Sequence, residues 1–269
     1  MLRELLDTLR TTCAPGARPL GLAYESAAIA ARHRRVGTSW APHLAASHAA
    51  ILQAAACCQK HDRVIVIGAG ACLDVPVKEL ANQFTEVILA DVTITPEARR
   101  WQRHFPGRVR ALHWDATGAL TALAAQRRTL SSMEVEYLFT ESNPSLPIET
   151  EADLTVSANC LSQLGLIPAD NVKAAEKDDE LLARCTQAAA WKHLRWMSER
   201  SGTRLLISDI AQLDIAPDGR ELARHPLFNE LKLRQPDQTW HWNLAPIPEW
   251  SRHWHRIHEV GAWLDAPST

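Results

Sequence analysis

The sequence predicts an α/β fold: a doubly wound, mostly parallel sheet of seven strands with an antiparallel last strand, preceded by a helical segment. Three observations predict it. Short β-branched apolar runs alternate with helical stretches, the pattern of parallel strands joined by crossover helices. The first run ends in a glycine turn, Gly68-Ala69-Gly70. The last two runs, at 239–244 and 257–264, have no helix between them, as in an antiparallel pair.

The elements follow in order. Leu2, Leu5, Leu6 and Leu9 recur at helical spacing. After a loop with Pro15, Gly16 and Pro19, residues 24–35 and 42–59 read as two helices. Pro42 suits the first turn of the second, where its missing N–H costs nothing. Residues 1–60 are therefore taken as an N-terminal helical cap and 61–269 as the sheet domain. Strands are expected at 64–67, 87–90, 109–113, 154–157 and 205–208, with helices at 74–84, 96–104 and 178–201. The stretch 219–234 reads as a helix interrupted by Pro226, 135–139 as an extra strand and 141–147 as a loop.

Composition narrows the function. The 269 residues carry 29 Lys+Arg against 31 Asp+Glu, a formal charge of −2, and are 46% hydrophobic. This excludes a disordered or coiled-coil chain, and near-neutrality argues against a general nucleic-acid binder. No apolar run reaches the length of a membrane span. Six cysteines without CxxC spacing read as reduced thiols of a cytoplasmic protein. Ten tryptophans outnumber four phenylalanines and two tyrosines, an unusual ratio. Trp240 and Trp242 share one face of a strand, and with Trp263 are expected in the core of the terminal pair. Trp250 and Trp254 have no strand to explain them.

The segment RVIVIGAGACLD (63–74) carries the strongest functional signal. Glycine lets the backbone turn tightly and lets a ligand approach it. Asp91, 91 − 68 = 23 residues on, ends the next strand, where an acid can take the hydroxyls of a ribose. A dinucleotide site wants a small residue where Leu73 stands, which counts against NAD or FAD.

Residues 60–264 resemble a class I S-adenosylmethionine-dependent methyltransferase. Gly68, Ala69 and Gly70 match the family's first motif, with Cys72 in the place of its third glycine. The resemblance implies that Asp91 holds the ribose and Asp115 the adenine. It also implies that the strand ending at Ser157-Ala158-Asn159 faces the transferred methyl. The cofactor implied is S-adenosyl-L-methionine, with Ser157 added to the residues that bind it.

The substrate side is read from position. Asn159 is expected to orient the methyl acceptor, with Gln163 beside it. Tyr24, Trp40 and His43 of the cap are expected to contact substrate. The expected acceptor is a small metabolite, with in-line transfer and no membrane partner. A homodimer is compatible with the sequence. One alternative is an RNA or protein methyltransferase using the Arg32–Arg35 and Arg99–Arg110 clusters. Another is a catalytically silent member that binds a partner. His253, His255 and His258 do not fall on one face of a helix or strand, so no metal is expected.

Overall fold

The computed structural model describes residues 2–144, 151–174, 178–228, 231 and 233–265. The chain begins with α1 (Leu2–Arg10), β1 (Thr12–Cys13) and α2 (Leu22–Ala56). Then come β2 (Arg63–Ile67), α3 (Val77–Gln83), β3 (Glu86–Asp91), β4 (Thr93–Ile94), α4 (Pro96–His104) and β5 (Val109–His113). Next are α5 (Leu120–Ala124), α6 (Ser132–Glu141), β6 (Leu154–Ala158), a 3-10 turn (Leu161–Gln163), α7 (Leu166–Asn171) and α8 (Asp179–Ser198). The chain closes with β7 (Thr203–Ile215), β8 (Glu221–Pro226), β9 (Gln238–Ala245) and β10 (His255–Leu264).

The main sheet has the order β5-β3-β2-β6-β7-β10-β9. The neighbours from β5 to β7 pair in parallel. β10 is antiparallel to both β7 and β9. This is the seven-strand order of the class I methyltransferase fold. The winding reverses between β2 and β6, so a crevice opens at the carboxyl ends of these strands, where open α/β sheets take ligands.

Strand alternation builds the core. Val64 and Val66 face one side with Trp40, Ile51, Leu80 and Ala98, while Ile65 and Ile67 face the other with Leu194, Met197 and Trp263. All four strand residues are buried, each side chain contributing about 1.5–3 kcal/mol. The buried runs are why these short strands were readable.

Three elements differ from expectation. Residues 24–35 and 42–59 belong to one long helix, α2, interrupted only by non-helical backbone at Val36 (φ −125°, ψ 21°), so Pro42 lies inside it rather than in a first turn. Residues 135–139 are helical in α6, because Ser131 and Glu134 form a reciprocal capping box and Val135 and Phe139 bury one face. Residues 221–226 form β8, which pairs with the extended second half of β7 and adds an eighth strand. Residues 229, 230 and 232 of the expected 219–234 helix, and 145–147 of the expected loop, lie outside the described residues. No described helix is long and apolar enough to cross a membrane.

Candidate functional site

A cavity of about 350 Å³ lies at the carboxyl ends of β2, β3, β5 and β6, with α2 across it. Gly68 (φ +75°) makes the turn after β2. A Cβ there would sit 2.6 Å from Cys160 Cβ and 2.8 Å from the Ala158 carbonyl oxygen, so only glycine lets β2 and β6 come this close. Gly70 (φ +47°) and Cys72 (φ +55°) continue the left-handed backbone. The family's third glycine is thus replaced by a cysteine that accepts a conformation uncommon outside glycine.

Asp91 braces this loop from the neighbouring strand. Its Oδ2 accepts the Gly70 N–H at 2.9 Å, and its Oδ1 accepts the Thr93 N–H at 2.8 Å and the Thr93 hydroxyl at 3.0 Å. With about four lone-pair positions on a carboxylate, Oδ2 keeps capacity for a ligand hydroxyl. Asp115 is similarly engaged. It accepts from Thr117 N–H, from the Thr117 hydroxyl and from Leu120 N–H, tying down the turn into α5.

Sequence reasoning missed Asp74. It lines the cavity, and its Oδ2 accepts from Asn159 Nδ2 at 2.6 Å. Burial pushes the Asp74 carboxyl above its ordinary range, and does the same to Asp91 and to Glu25 on α2. The wall therefore holds four acids, Glu25, Asp74, Asp91 and Asp115, and no lysine or arginine among the described residues. The Asp74 signal was present, four residues past Gly70, but it read as the start of a helix.

Asn159 follows β6 in left-handed backbone (φ +48°), which asparagine tolerates. Its amide is oriented by Asp74, and its buried Oδ1 has no partner. Gln163 lines the cavity beside it, its Nε2 donating to the Asn159 carbonyl at 3.4 Å.

α2 supplies the opposite wall. Trp40 and His43 line the cavity with Leu44, Ile29 and, from β9, Trp242. Trp40 Nε1 donates to the Leu244 carbonyl at 3.0 Å. The His43 ring stacks on Trp242, with centroids 4.2 Å apart and planes 9° apart. Trp240 Nε1 donates to His43 Nδ1 at 3.0 Å. The expected one-face pairing of Trp240 and Trp242 is thus present, and its partner is the helix that covers the cavity.

Two expected residues do not reach the cavity. Ser157 is fully buried within β6, bonded to His193 Nε2 at 2.9 Å and in contact with Cys160 Sγ. The strand's alternation turns it away from the crevice. Tyr24 is 57% exposed and absent from the cavity wall. Trp250 and Trp254 instead flank the Arg256 guanidinium, at 5.4 and 4.9 Å from the ring centroids. Beside them Glu249 pairs with Arg35 and Arg32, which ties the β9–β10 loop to α2. Much of the remaining arginine is also engaged internally: Arg34 with Asp7, Arg110 with Glu86, Arg108 with the Ala81 carbonyl. No described group of His, Cys, Asp and Glu could hold a metal ion.

No protein-family profile and no curated protein matches the chain. Solved structures give distant similarities. The Burkholderia thailandensis 1,6-didemethyltoxoflavin-N1-methyltransferase, solved with 1,6-didemethyltoxoflavin and S-adenosylhomocysteine, is 15% identical over 89% of each chain, with a TM-score of 0.36. S-adenosylmethionine-bound CalS10 from Micromonospora echinaspora, an amino pentose methyltransferase, is 14% identical over 89% of this chain and 81% of its own, at 0.32. A SAM-dependent methyltransferase from Leishmania major is 13% identical over 79% and 72%, at 0.29. The fold assignment rests on the strand order rather than on these scores.

Proposed function

We propose that the protein is an S-adenosylmethionine-dependent methyltransferase acting on a small molecule. The observation that carries this reading is the sign of the cavity: four carboxylates and no cationic side chain in its described wall, beneath a glycine turn. S-adenosylmethionine brings a sulfonium and an ammonium against one carboxylate, a net positive ligand. A dinucleotide brings a pyrophosphate, which would face Asp74 and Asp91 without a compensating charge; at closest approach this costs several kcal/mol in a partly dry site. Leu73 at the cavity wall adds to the case against a dinucleotide.

The residues fit the ligand. Gly68 and Gly70 leave the loop backbone open to it, Asp91 offers its remaining lone pair to the ribose, and Asp115 lies at the adenine end. Asp74 offers an acceptor to the ammonium or to the methyl acceptor, held in place by the Asn159 amide. The cofactor, when bound, supplies an already activated methyl group, so positioning and exclusion of water can account for much of the acceleration. Trp40, Trp242, Leu44 and Ile29 exclude water, while Asn159, Gln163 and His43 orient the acceptor. The internally paired arginines favour a small-molecule acceptor over nucleic acid.

Calorimetry with S-adenosylmethionine and with NAD tests the reading. Binding of the first alone is the expected result; binding of NAD, or of neither, refutes it. A labelled-methyl screen of a metabolite extract against bulk tRNA then separates the acceptor classes.

A further inference from the structure

His43 is the one imidazole in the described cavity wall, and its chemistry is fixed by its neighbours. An indole nitrogen has one hydrogen and no lone pair to give, so it can only donate. Trp240 Nε1 therefore requires a lone pair on His43 Nδ1, 3.0 Å away. A neutral imidazole with its lone pair on Nδ1 carries its proton on Nε2. Among the described residues Nε2 has no partner, and it is not among the polar atoms sealed from solvent. The ring is held against Trp242 at 4.2 Å, which fixes its plane.

Protonation would place a second N–H against the indole N–H, so the lock also opposes charging. The groups facing His43 are Asp209 on β7, which favours the charged form, and His258 on β10 and His48 on α2, which oppose it. Burial is the largest effect, acts together with the two histidines against Asp209, and pushes His43 down to about 3. Asp209 is itself engaged, accepting from His258 Nδ1 at 2.8 Å and from the Ser162 hydroxyl at 2.6 Å.

We propose that His43 is a fixed Nε2–H donor for the methyl acceptor, and that the substrate is an uncharged, planar, largely apolar small molecule presenting an oxygen or ring-nitrogen lone pair to it. A planar, apolar ligand fits the same cavity, which the Trp40 and Trp242 indoles line with Ile29, Leu44 and Pro168. Lack of negative charge follows from the acids of both walls, Asp74, Asp91 and Asp115 on the far one and Glu25 on α2, together with the neutral imidazole. His43 is thus a recognition residue and not a base, because its basic nitrogen is occupied. This assignment of ligand class rests on the methyltransferase reading; the tautomer does not.

Long-range proton–nitrogen spectra of the imidazoles, assigned with His43→Gln, read the tautomer directly. The expected result is the Nε2–H form with no titration between pH 8 and pH 5. Trp240→Phe should release the lock and mix the tautomers, while burial keeps the ring neutral over the same pH range. An Nδ1–H form, or titration near pH 6.5 in the unaltered chain, overturns the lock.

The ligand class is tested with quinoline and naphthalene, two rings of one shape of which only the first has a lone pair, on protein saturated with S-adenosylhomocysteine. Quinoline should bind about tenfold tighter, the worth of one neutral hydrogen bond. His43→Phe should abolish the difference and His43→Gln, which keeps a donor, should restore part of it. Equal affinities, or binding of neither ring, overturn the ligand class. Binding of S-adenosylhomocysteine is measured first, alone. Its failure refutes the methyltransferase reading and leaves the tautomer result standing, and the two rings are then compared on the free protein.

Discussion

Asp74→Asn should make the ligand-free protein more stable and the cofactor bind worse. Asp74 faces the cavity with a carboxyl raised by burial above its ordinary value of 3.8, and no described lysine or arginine of the wall neutralises it. A folded-state value above the unfolded one means the penalty is absent below about pH 3.8. It grows as pH rises toward the folded value and is complete above it. Asparagine keeps an acceptor for the Asn159 amide at 2.6 Å and removes the buried charge. The expected gain is about 1 kcal/mol at neutral pH, or about 2–4 °C in Tm for a chain of this size. On the ligand side, the variant loses a charge-assisted contact of about 1.5–3 kcal/mol, so Kd for S-adenosylmethionine should rise about 10- to 150-fold. Thermal melts at pH 7.5 and pH 4 give the first quantity and calorimetry the second. The stability gain should shrink at the lower pH. A variant that melts lower and binds the cofactor unchanged would refute the reasoning.

Three further outcomes are expected. Gly68→Ala should lower Tm and abolish cofactor binding, because its Cβ meets Cys160 and the Ala158 carbonyl at under 3 Å and the backbone sits at φ +75°; a normal melt would show that β2 and β6 can move apart. Asp91→Asn should cost about 1–3 kcal/mol in a urea melt, since one of its three protein donors is left facing an N–H, and it should weaken the cofactor as well. Glu249→Gln should cost under about 1 kcal/mol, as exposed ion pairs do, yet speed cofactor release in stopped flow by freeing Arg32 and Arg35; an unchanged release rate would exclude the β9–β10 loop from control of the cavity.

The parallel strands were legible because burial on both faces writes itself as β-branched runs, as in Val64-Ile65-Val66-Ile67. β8 was not legible. Its residues are almost all exposed, so no periodicity marks them, and the strand exists because the end of β7 offers a free edge. The Ser131–Glu134 capping box stood in the sequence, and it outweighs the β-branched and aromatic composition of 135–139. In the site, Gly68, Gly70, Asp91 and Asp115 follow from local order along the chain. Asp74 was hidden by reading it as the first residue of a helix that starts at Val77. The setting of His43 could not be read from spacing, because its indole partners lie about two hundred positions away and only the folded sheet brings them together.

That separation has a consequence for synthesis. Trp40 meets the Leu244 carbonyl across 204 positions, and His43 meets Trp240 across 197. Loop closure over such a span forms late and is entropically costly. A nascent chain emerging from the ribosome can assemble β2, β3 and β5 early, yet Trp40 and His43 lack their β9 partners until residues 238–245 have been made. Until then the acids face open water, where their attraction for a cation is weak. Ligand affinity therefore reports on completion of translation: a prematurely terminated product would keep much of the sheet and present no closed cavity.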